Sequence, residues 1–215
     1  MDILVAGGHG QVALRLLKIL AEQGHRARGL IRKQEQGADL EAAGAVPVLG
    51  DLENDPSLET YVRGADAVVF AAGAGPGSGP ARKRTVDLGG AVKLVDAARN
   101  TRVRRYVMVS SIGAQDPDAA SGDMVPYLTA KAEADRYLAA SGLDWTIVRP
   151  GGLTNEPGTG RVRVSTELGE RGSVPRDDVA AVLAACLTTP ETIGVTFELF
   201  GGDTPIPEAL TFRRT

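Results

Sequence analysis

The reading of the chain turns on Ile3-Leu4-Val5-Ala6-Gly7-Gly8-His9-Gly10-Gln11-Val12-Ala13-Leu14-Arg15-Leu16-Leu17-Lys18-Ile19-Leu20. An apolar run of four residues meets three glycines within four positions. A helical pattern follows, with Val12, Leu16, Ile19 and Leu20 on one face. The run predicts a buried strand over 3–6, and the 3.6-residue period predicts a helix over 12–23 that ends near Gly24. Between them the backbone must turn sharply with little side-chain bulk.

The same rhythm continues outward. Strands are predicted at 25–31, 45–49, 67–71, 105–110 and 145–148, with helices at 34–43, 55–63, 84–100 and 127–141. Strands separated by helices argue for a doubly wound α/β fold, a parallel sheet covered on both faces. The near-continuous Val/Ile/Leu character of the strands agrees, because such strands are buried on both sides. The rhythm loosens over 151–175, a Gly- and Thr-rich segment with one alternating piece, Arg161-Val162-Arg163-Val164. A helix over 176–187 and a strand over 196–200 close the pattern. The expectation is a single domain over 1–215, with 151–175 as a small substrate-side elaboration.

Composition narrows the function classes. The 215 residues are long enough to bury a core, and 43% hydrophobic with 24% charged residues is ordinary for a globular chain. A net charge of -3 offers no electrostatic pull toward nucleic acid or anionic membrane. No apolar stretch approaches the roughly 20 residues that span a bilayer, and Met1-Asp2 opens no signal peptide. A cytoplasmic protein, monomeric or homodimeric, is expected. The single cysteine, Cys186, lies in an apolar helical run and reads as a buried small hydrophobe. His9 and His25 are too few and too badly spaced for a metal site. Arg102, Arg104 and Arg105 read as a solvated rim and Trp145 as core. Asp177-Asp178 suits a helix N-terminus.

The glycine turn has a mechanical reading. Gly7-x-x-Gly10-x-x-Ala13, also read from Gly8 as G-x-G-x-x-A, lets the backbone of residues 7–12 (Gly7, Gly8, His9, Gly10, Gln11, Val12) approach a pyrophosphate. The helix N-terminus supplies free N–H groups and partial positive charge. A purely structural tight turn would use the same glycines. His9 is expected to act through its backbone at most. The end of the second strand discriminates between dinucleotides. An acid there would bind the ribose 2′-hydroxyl of NAD; this chain has Arg32-Lys33, which suits a 2′-phosphate through charge-assisted bonds. NADP(H) is therefore favoured over NAD(H), although a solvated basic helix start would look alike.

Later motifs extend the pattern. They are Gly50-Asp51-Leu52 after the third strand, Ala71-Ala72-Gly73 after the fourth, and Val107-Met108-Val109-Ser110-Ser111 at the fifth. Tyr127-Leu128-Thr129-Ala130-Lys131, Asp144-Trp145-Thr146-Ile147-Val148-Arg149-Pro150-Gly151 and Pro175-Arg176-Asp177-Asp178-Val179-Ala180 follow. Together with the glycine turn they resemble the short-chain dehydrogenase/reductase superfamily, and more narrowly its atypical, NmrA-like NAD(P)H-binding branch. The resemblance covers nearly the whole chain and implies a Rossmann fold. It implies that Asp51 and Leu52 flank the adenine, with Asp51 accepting from the exocyclic amine, where the plain alternative is a helix or turn cap. It places Ala71, Ala72 and Gly73 along the cofactor's ribose side, and Pro150, Gly151 and Leu153 at the nicotinamide.

The catalytic candidates are Ser111, Tyr127 and Lys131. Tyr127 and Lys131 lie four apart on a helix and share a face. A free phenol ionises near pH 10, too high for a good base, and a nearby ammonium favours its phenolate. Tyr127 would exchange the proton of a carbonyl/alcohol pair as hydride moves. Lys131 would also bind the nicotinamide ribose. Ser111 would orient the substrate oxygen, with Ser110 its competitor. The plain alternative for Tyr127 and Lys131 is a half-buried tyrosine beside a snorkelling lysine.

One departure stands out. Where many superfamily members carry a relay asparagine, this chain has Asp87, whose charge would alter the relay or which would face solvent. The expected function is an NADP(H)-dependent oxidoreductase acting on a small molecule. A non-catalytic NAD(P)(H)-binding regulator or redox sensor, or a flavin or quinone reductase, is the alternative. About 65 residues follow Pro150, little chain for the substrate domain that nucleotide-sugar epimerases or dehydratases need.

Overall fold

In chain order the elements are β1 (Asp2–Ala6), α1 (Gln11–Glu22), β2 (Arg26–Ile31), α2 (Gly37–Ala42), β3 (Val46–Leu49), α3 (Glu59–Val62), β4 (Ala67–Phe70), α4 (Gly79–Arg82), a π-helical stretch (Lys83–Gly90) and α5 (Ala91–Asn100). They continue with β5 (Arg105–Val109), α6 (Met124–Ala139), β6 (Asp144–Pro150), β7 (Gly152–Thr154), β8 (Arg161–Ser165), β9 (Ser173–Pro175), α7 (Arg176–Thr188), β10 (Val195–Gly201), β11 (Thr204–Pro205) and α8 (Ile206–Ala209). The computed structural model describes residues 1–75, 77–166 and 171–212. Pro76, between the predicted strand over 67–71 and the predicted helix over 84–100, and residues 167–170 of the predicted elaboration lie outside them.

Nine strands form one sheet in the order β11-β8-β10-β6-β5-β4-β1-β2-β3. From β3 to β10 all neighbours run parallel. The expected parallel sheet gains an antiparallel end, because β8 pairs antiparallel with β10 and with β11. The alternation Arg161-Val162-Arg163-Val164 is the reason. Val162 is fully buried while Arg161 and Arg163 are exposed, the pattern of a strand with one wet face.

Strand alternation builds two cores. Ile3 and Val5 face α1 and α7, where Leu16, Leu17 and Leu20 meet Val179, Leu183 and Cys186. Leu4 and Ala6 face the other layer, with Leu94 and Val95 of α5 and Leu138 of α6. Cys186 is buried as expected, and burial pushes its thiol up to about 12.

Three local expectations are corrected. The helix expected over 55–63 is only α3, because Pro56 disfavours helical backbone at Asp55. Asp55 instead serves the preceding turn, accepting from Asp51 N–H and from the Tyr61 hydroxyl, each at 2.7 Å. The helix expected from 84 starts at Gly79 and passes through the π-helical stretch before α5. Such stretches are uncommon and accompany functional sites. Arg105 is not a solvated rim residue. Its guanidinium reaches inward to Asp144 O (2.6 Å), Cys186 O (2.6 Å), Thr146 Oγ1 (2.8 Å) and Thr192 Oγ1 (3.0 Å), so four acceptors satisfy a cation drawn off the surface.

Candidate active site

The glycine turn sits where β1 meets α1. Gly7 has φ +79°, and a Cβ there would stand 2.6 Å from Ala72 Cα. A Cβ on Gly8 would stand 2.8 Å from Gly29 Cα on β2. Glycine is therefore needed at the first position for backbone conformation and at both for close approach. Gly10 N–H closes the turn on Gly7 O (2.8 Å) and Gly8 N–H ties it to Leu30 O (2.9 Å). Gly10 is the cap residue of α1, and no side chain caps this helix. Its first N–H groups are thus open to a ligand.

In front of the turn lies a cleft of about 250 Å³. Its walls are Gly7, His9 and Gly10; Leu30, Ile31, Arg32 and Gln36; Gly50, Asp51, Leu52 and Glu53; Ala71, Ala72, Gly73 and Ala74; and Arg82 and Val86. Nine of the residues singled out from sequence meet here: Gly7, His9, Gly10, Arg32, Asp51, Leu52, Ala71, Ala72 and Gly73. Gly8, Gln11, Val12 and Lys33 do not line it. Lys33 Nζ lies 3.6 Å from Glu35 Oε1, turned to its own neighbour. His9 Nε2 lies 2.6 Å from Asp39 Oδ2 on α2, so its ring is tied to the scaffold.

Asp51 is a turn cap. Its Oδ1 accepts from Glu53 N–H (2.8 Å) and Asn54 N–H (3.2 Å), and Oδ2 from Asn54 Nδ2 (2.9 Å). Burial alone would push this carboxyl up. The Asn54 and backbone hydrogen bonds, with the Arg32 charge nearby, hold it below the usual carboxylate range. An ionised acceptor therefore stands at the cleft wall.

These residues fit an adenine dinucleotide. The cradle is one that Cβ atoms would fill, the uncapped N-terminus of α1 adjoins it, and a guanidinium and a carboxylate stand at one end. Sequence reasoning did not pick out Gln36, Glu53, Ala74, Arg82 and Val86. Arg82 and Val86 are four apart, a signal hidden by starting the helix at 84.

The second group lies at the C-terminal ends of β4, β5 and β6. Lys131 is 4% exposed; its Nζ donates to Val109 O at 3.2 Å. The same Nζ stands 3.4 Å from Asp87 Oδ1, a charge contact without hydrogen-bond alignment. Asp87 is fully buried, and its Oδ2 accepts from Ala74 N–H at 3.0 Å. The alternative of a solvent-facing Asp87 is therefore corrected: the π-helical stretch aims it inward, where it joins Lys131 to the backbone leaving β4. Tyr127 is half-buried, with Lys131 Nζ 5.8 Å and Lys83 Nζ 4.9 Å from its ring centroid. Lys83 was not anticipated from sequence.

The two serines behave differently. Ser110 is buried and donates to Asp135 Oδ2 at 2.8 Å, which also accepts from Arg149 Nε at 3.0 Å. Burial pushes the Asp135 carboxyl up, against the opposing pull of Arg149 and Ser110. Ser111 is half-buried and donates to Ile112 O at 3.0 Å. Pro150, Gly151 and Leu153 do not line the cleft. Gly151 is enclosed, since a Cβ there would stand 2.4 Å from Gly172 O, and Leu153 is 38% exposed. Among the described residues no group of three or more His, Cys, Asp or Glu could hold a metal, and no helix is long and apolar enough to cross a membrane.

A glycine cradle at the first strand-to-helix turn of a mostly parallel, helix-covered sheet defines a Rossmann-type NAD(P)-binding protein. Residues 7–190 match the NAD(P)H-binding family, and the chain belongs to it; the short-chain dehydrogenase/reductase pattern of the NmrA-like branch fits. It is 43% identical over 212 residues to the uncharacterized sugar epimerase YhfK of Bacillus subtilis, covering 98% of this chain and 99% of that one. A solved putative NAD-dependent epimerase/dehydratase from Bacillus halodurans is 44% identical, with a TM-score of 0.93 over 98% of each chain. The oxidoreductase YlbE of Lactococcus lactis is 31% identical, with a TM-score of 0.84 over 98% of this chain and 95% of that one. The family and these relatives support a general redox role.

Proposed function

We propose that this chain is an NADP(H)-dependent oxidoreductase that interconverts a small carbonyl compound and its alcohol. The observation that carries the cofactor preference is Arg32 at the end of β2, lining the cleft where an NAD-type site would have an acid. The bound nicotinamide supplies or accepts the hydride. Tyr127 gives its phenolic proton to the substrate oxygen in reduction and recovers it in oxidation. Ser111 turns its hydroxyl from Ile112 O to that oxygen and orients it. Lys131, held by Val109 O and Asp87, keeps a cation beneath Tyr127 and donates to the nicotinamide ribose.

Calorimetric titration with NADPH and NADH tests the cofactor. NADPH preference that disappears in Arg32→Ala supports the reading; equal binding of both overturns the preference. A carbonyl panel in NADPH then tests the chemistry, with Tyr127→Phe expected to lose at least about a hundredfold in rate.

One observation favours a second reading. The Asp87 carboxylate offsets the Lys131 charge that would favour phenolate. Hydride transfer to a flavin or quinone needs no tyrosine acid, and a binding regulator needs no transfer at all. Turnover that survives Tyr127→Phe selects the first of these. Tight cofactor binding with no turnover on any acceptor selects the second. The epimerase in the relatives' names belongs to those proteins. Here β8, β10 and β11 extend the central sheet and α7 covers it, which leaves mainly the separate two-stranded pair β7 and β9 for a substrate domain.

A further inference from the structure

We propose that Arg82 is a cofactor-holding residue, the movable half of a clasp over the adenosine end of the cleft; this rests on the dinucleotide reading above. Arg82 ends α4, on the chain leaving β4, and lines the cleft. Its Nε stands 3.5 Å from Glu53 Oε2, in the turn that follows β3. The contact therefore joins two segments that reach the cleft from different strands.

The two halves differ in how firmly they are held. Thr85 hydrogen-bonds Glu53 Oε1. Lys93 Nζ donates to the main-chain oxygens of Glu53 (3.0 Å) and Asp55 (2.9 Å). Glu53 is thus fixed by its side chain and its backbone. Among the described residues the Arg82 side chain has the 3.5 Å charge contact alone and is 37% exposed, while its main-chain oxygen accepts from Thr85 Oγ1 at 3.4 Å. A pair this exposed is worth little, so opening it costs little. A guanidinium is planar, stacks on aromatic faces and keeps its charge. Placed over an adenine it would close the cleft on a group that NADPH and NADH share.

Arg82 and Arg32 then divide the work. Arg32, at the end of β2, discriminates by the 2′-phosphate. Arg82 retains either cofactor. The test is stopped-flow release of NADPH and NADH, followed by nicotinamide fluorescence, for the wild-type chain, Arg82→Ala, Arg82→Lys and Arg32→Ala. Arg82→Ala is expected to release both cofactors about tenfold faster, in line with the loss of one stacked cation. Arg82→Lys, which keeps charge but loses the plane, recovers less than half of that on a logarithmic scale. Arg32→Ala accelerates NADPH release alone.

Release from Arg82→Ala within twofold of wild type for both cofactors overturns the proposal, as does acceleration confined to NADPH. If the wild-type chain binds neither cofactor, the dinucleotide reading itself fails. Arg82 is partly exposed and outside both cores, so the variants should fold; circular dichroism confirms this, and Arg82→Lys decides the case if the alanine variant does not.

Discussion

The two halves of the site are built on different principles. The adenosine half is an open cleft shaped by absence of side chain: Gly7 and Gly8 sit where any Cβ would meet backbone, and α1 leaves its N-terminal turn uncapped. The half that holds Ser111, Tyr127 and Lys131 is shaped by buried charge. Lys131 and Asp87 are paired below the surface, and Asp135 gathers Ser110 and Arg149 beside them. On the proposed reading the first half would recognise its ligand largely with backbone, and its close backbone approaches tolerate little change in shape. The second holds a few polar atoms in fixed register and so tolerates little change in charge.

The largest expected effect breaks the second half. Lys131→Met leaves Asp87 buried and uncompensated, and is expected to lower stability by about 3–5 kcal/mol in urea unfolding. Adding Asp87→Asn to Lys131→Met should recover much of that loss, which an independent pair of sites would not. Full additivity of the two single changes would end the view of this half as a charge-matched unit.

Next comes the shape of the first half. Gly7→Ala combines a left-handed φ of +79° with a 2.6 Å approach to Ala72 Cα. It should lower stability by about 2 kcal/mol or more and weaken cofactor binding along with it. A variant with unchanged stability and affinity would show that the cradle is not held by steric limits.

Within the cationic end, Arg32→Ala should weaken NADPH by about tenfold, the scale of one charge-assisted bond. Lys33→Ala should change it by less than about twofold, since Lys33 turns to Glu35. Equal effects from the two changes would mean that Lys33 leaves Glu35 when the cofactor binds.

The smallest effect lies outside both halves, where Arg15 of α1 meets Asp177 of α7 at 2.6 Å. The Arg15 hydrogen bond holds the Asp177 carboxyl below its usual range, against a burial effect that would raise it. A carboxyl depressed in the folded state contributes stability above its unfolded value, and loses it as pH falls through its folded value. Asp177→Asn should lower the Tm at pH 7 by no more than about 3 °C, because both groups are partly exposed. The difference from wild type should shrink as pH falls below the ordinary carboxylate range. A gap that stays constant with pH would mean that packing, not charge, joins these two helices.

Much of the cofactor half was legible in the sequence because its determinants are local. Gly7, Gly8 and Gly10 shape the turn through their own backbone, and Arg32 lines the cleft from the end of its own strand. Asp51 caps the turn it begins, the plain alternative weighed for it from sequence. Lys33, next in sequence to Arg32, does not line the cleft, and its ammonium stands 3.6 Å from Glu35 two residues on. The charged half was far less legible. Tyr127 and Lys131 could be paired from their spacing. The partner of Lys131 is 44 residues away in sequence, on a helix whose start and π-helical turn were not foreseen. Arg105 shows the same limit: the four acceptors it reaches across the fold come from β6, α7 and the turn after it.

The sequence by itself determined the alternation of strand and helix, the glycine cradle and the cation at the end of β2. These are properties of backbone conformation and hydrophobic period, and they need only near neighbours. Only the tertiary structure decided that Asp87 faces inward to Lys131, that Ser110 is committed to Asp135, and that Arg82 reaches Glu53 from another strand. A charge is assigned its partner by which groups lose water together, and that depends on how distant segments pack.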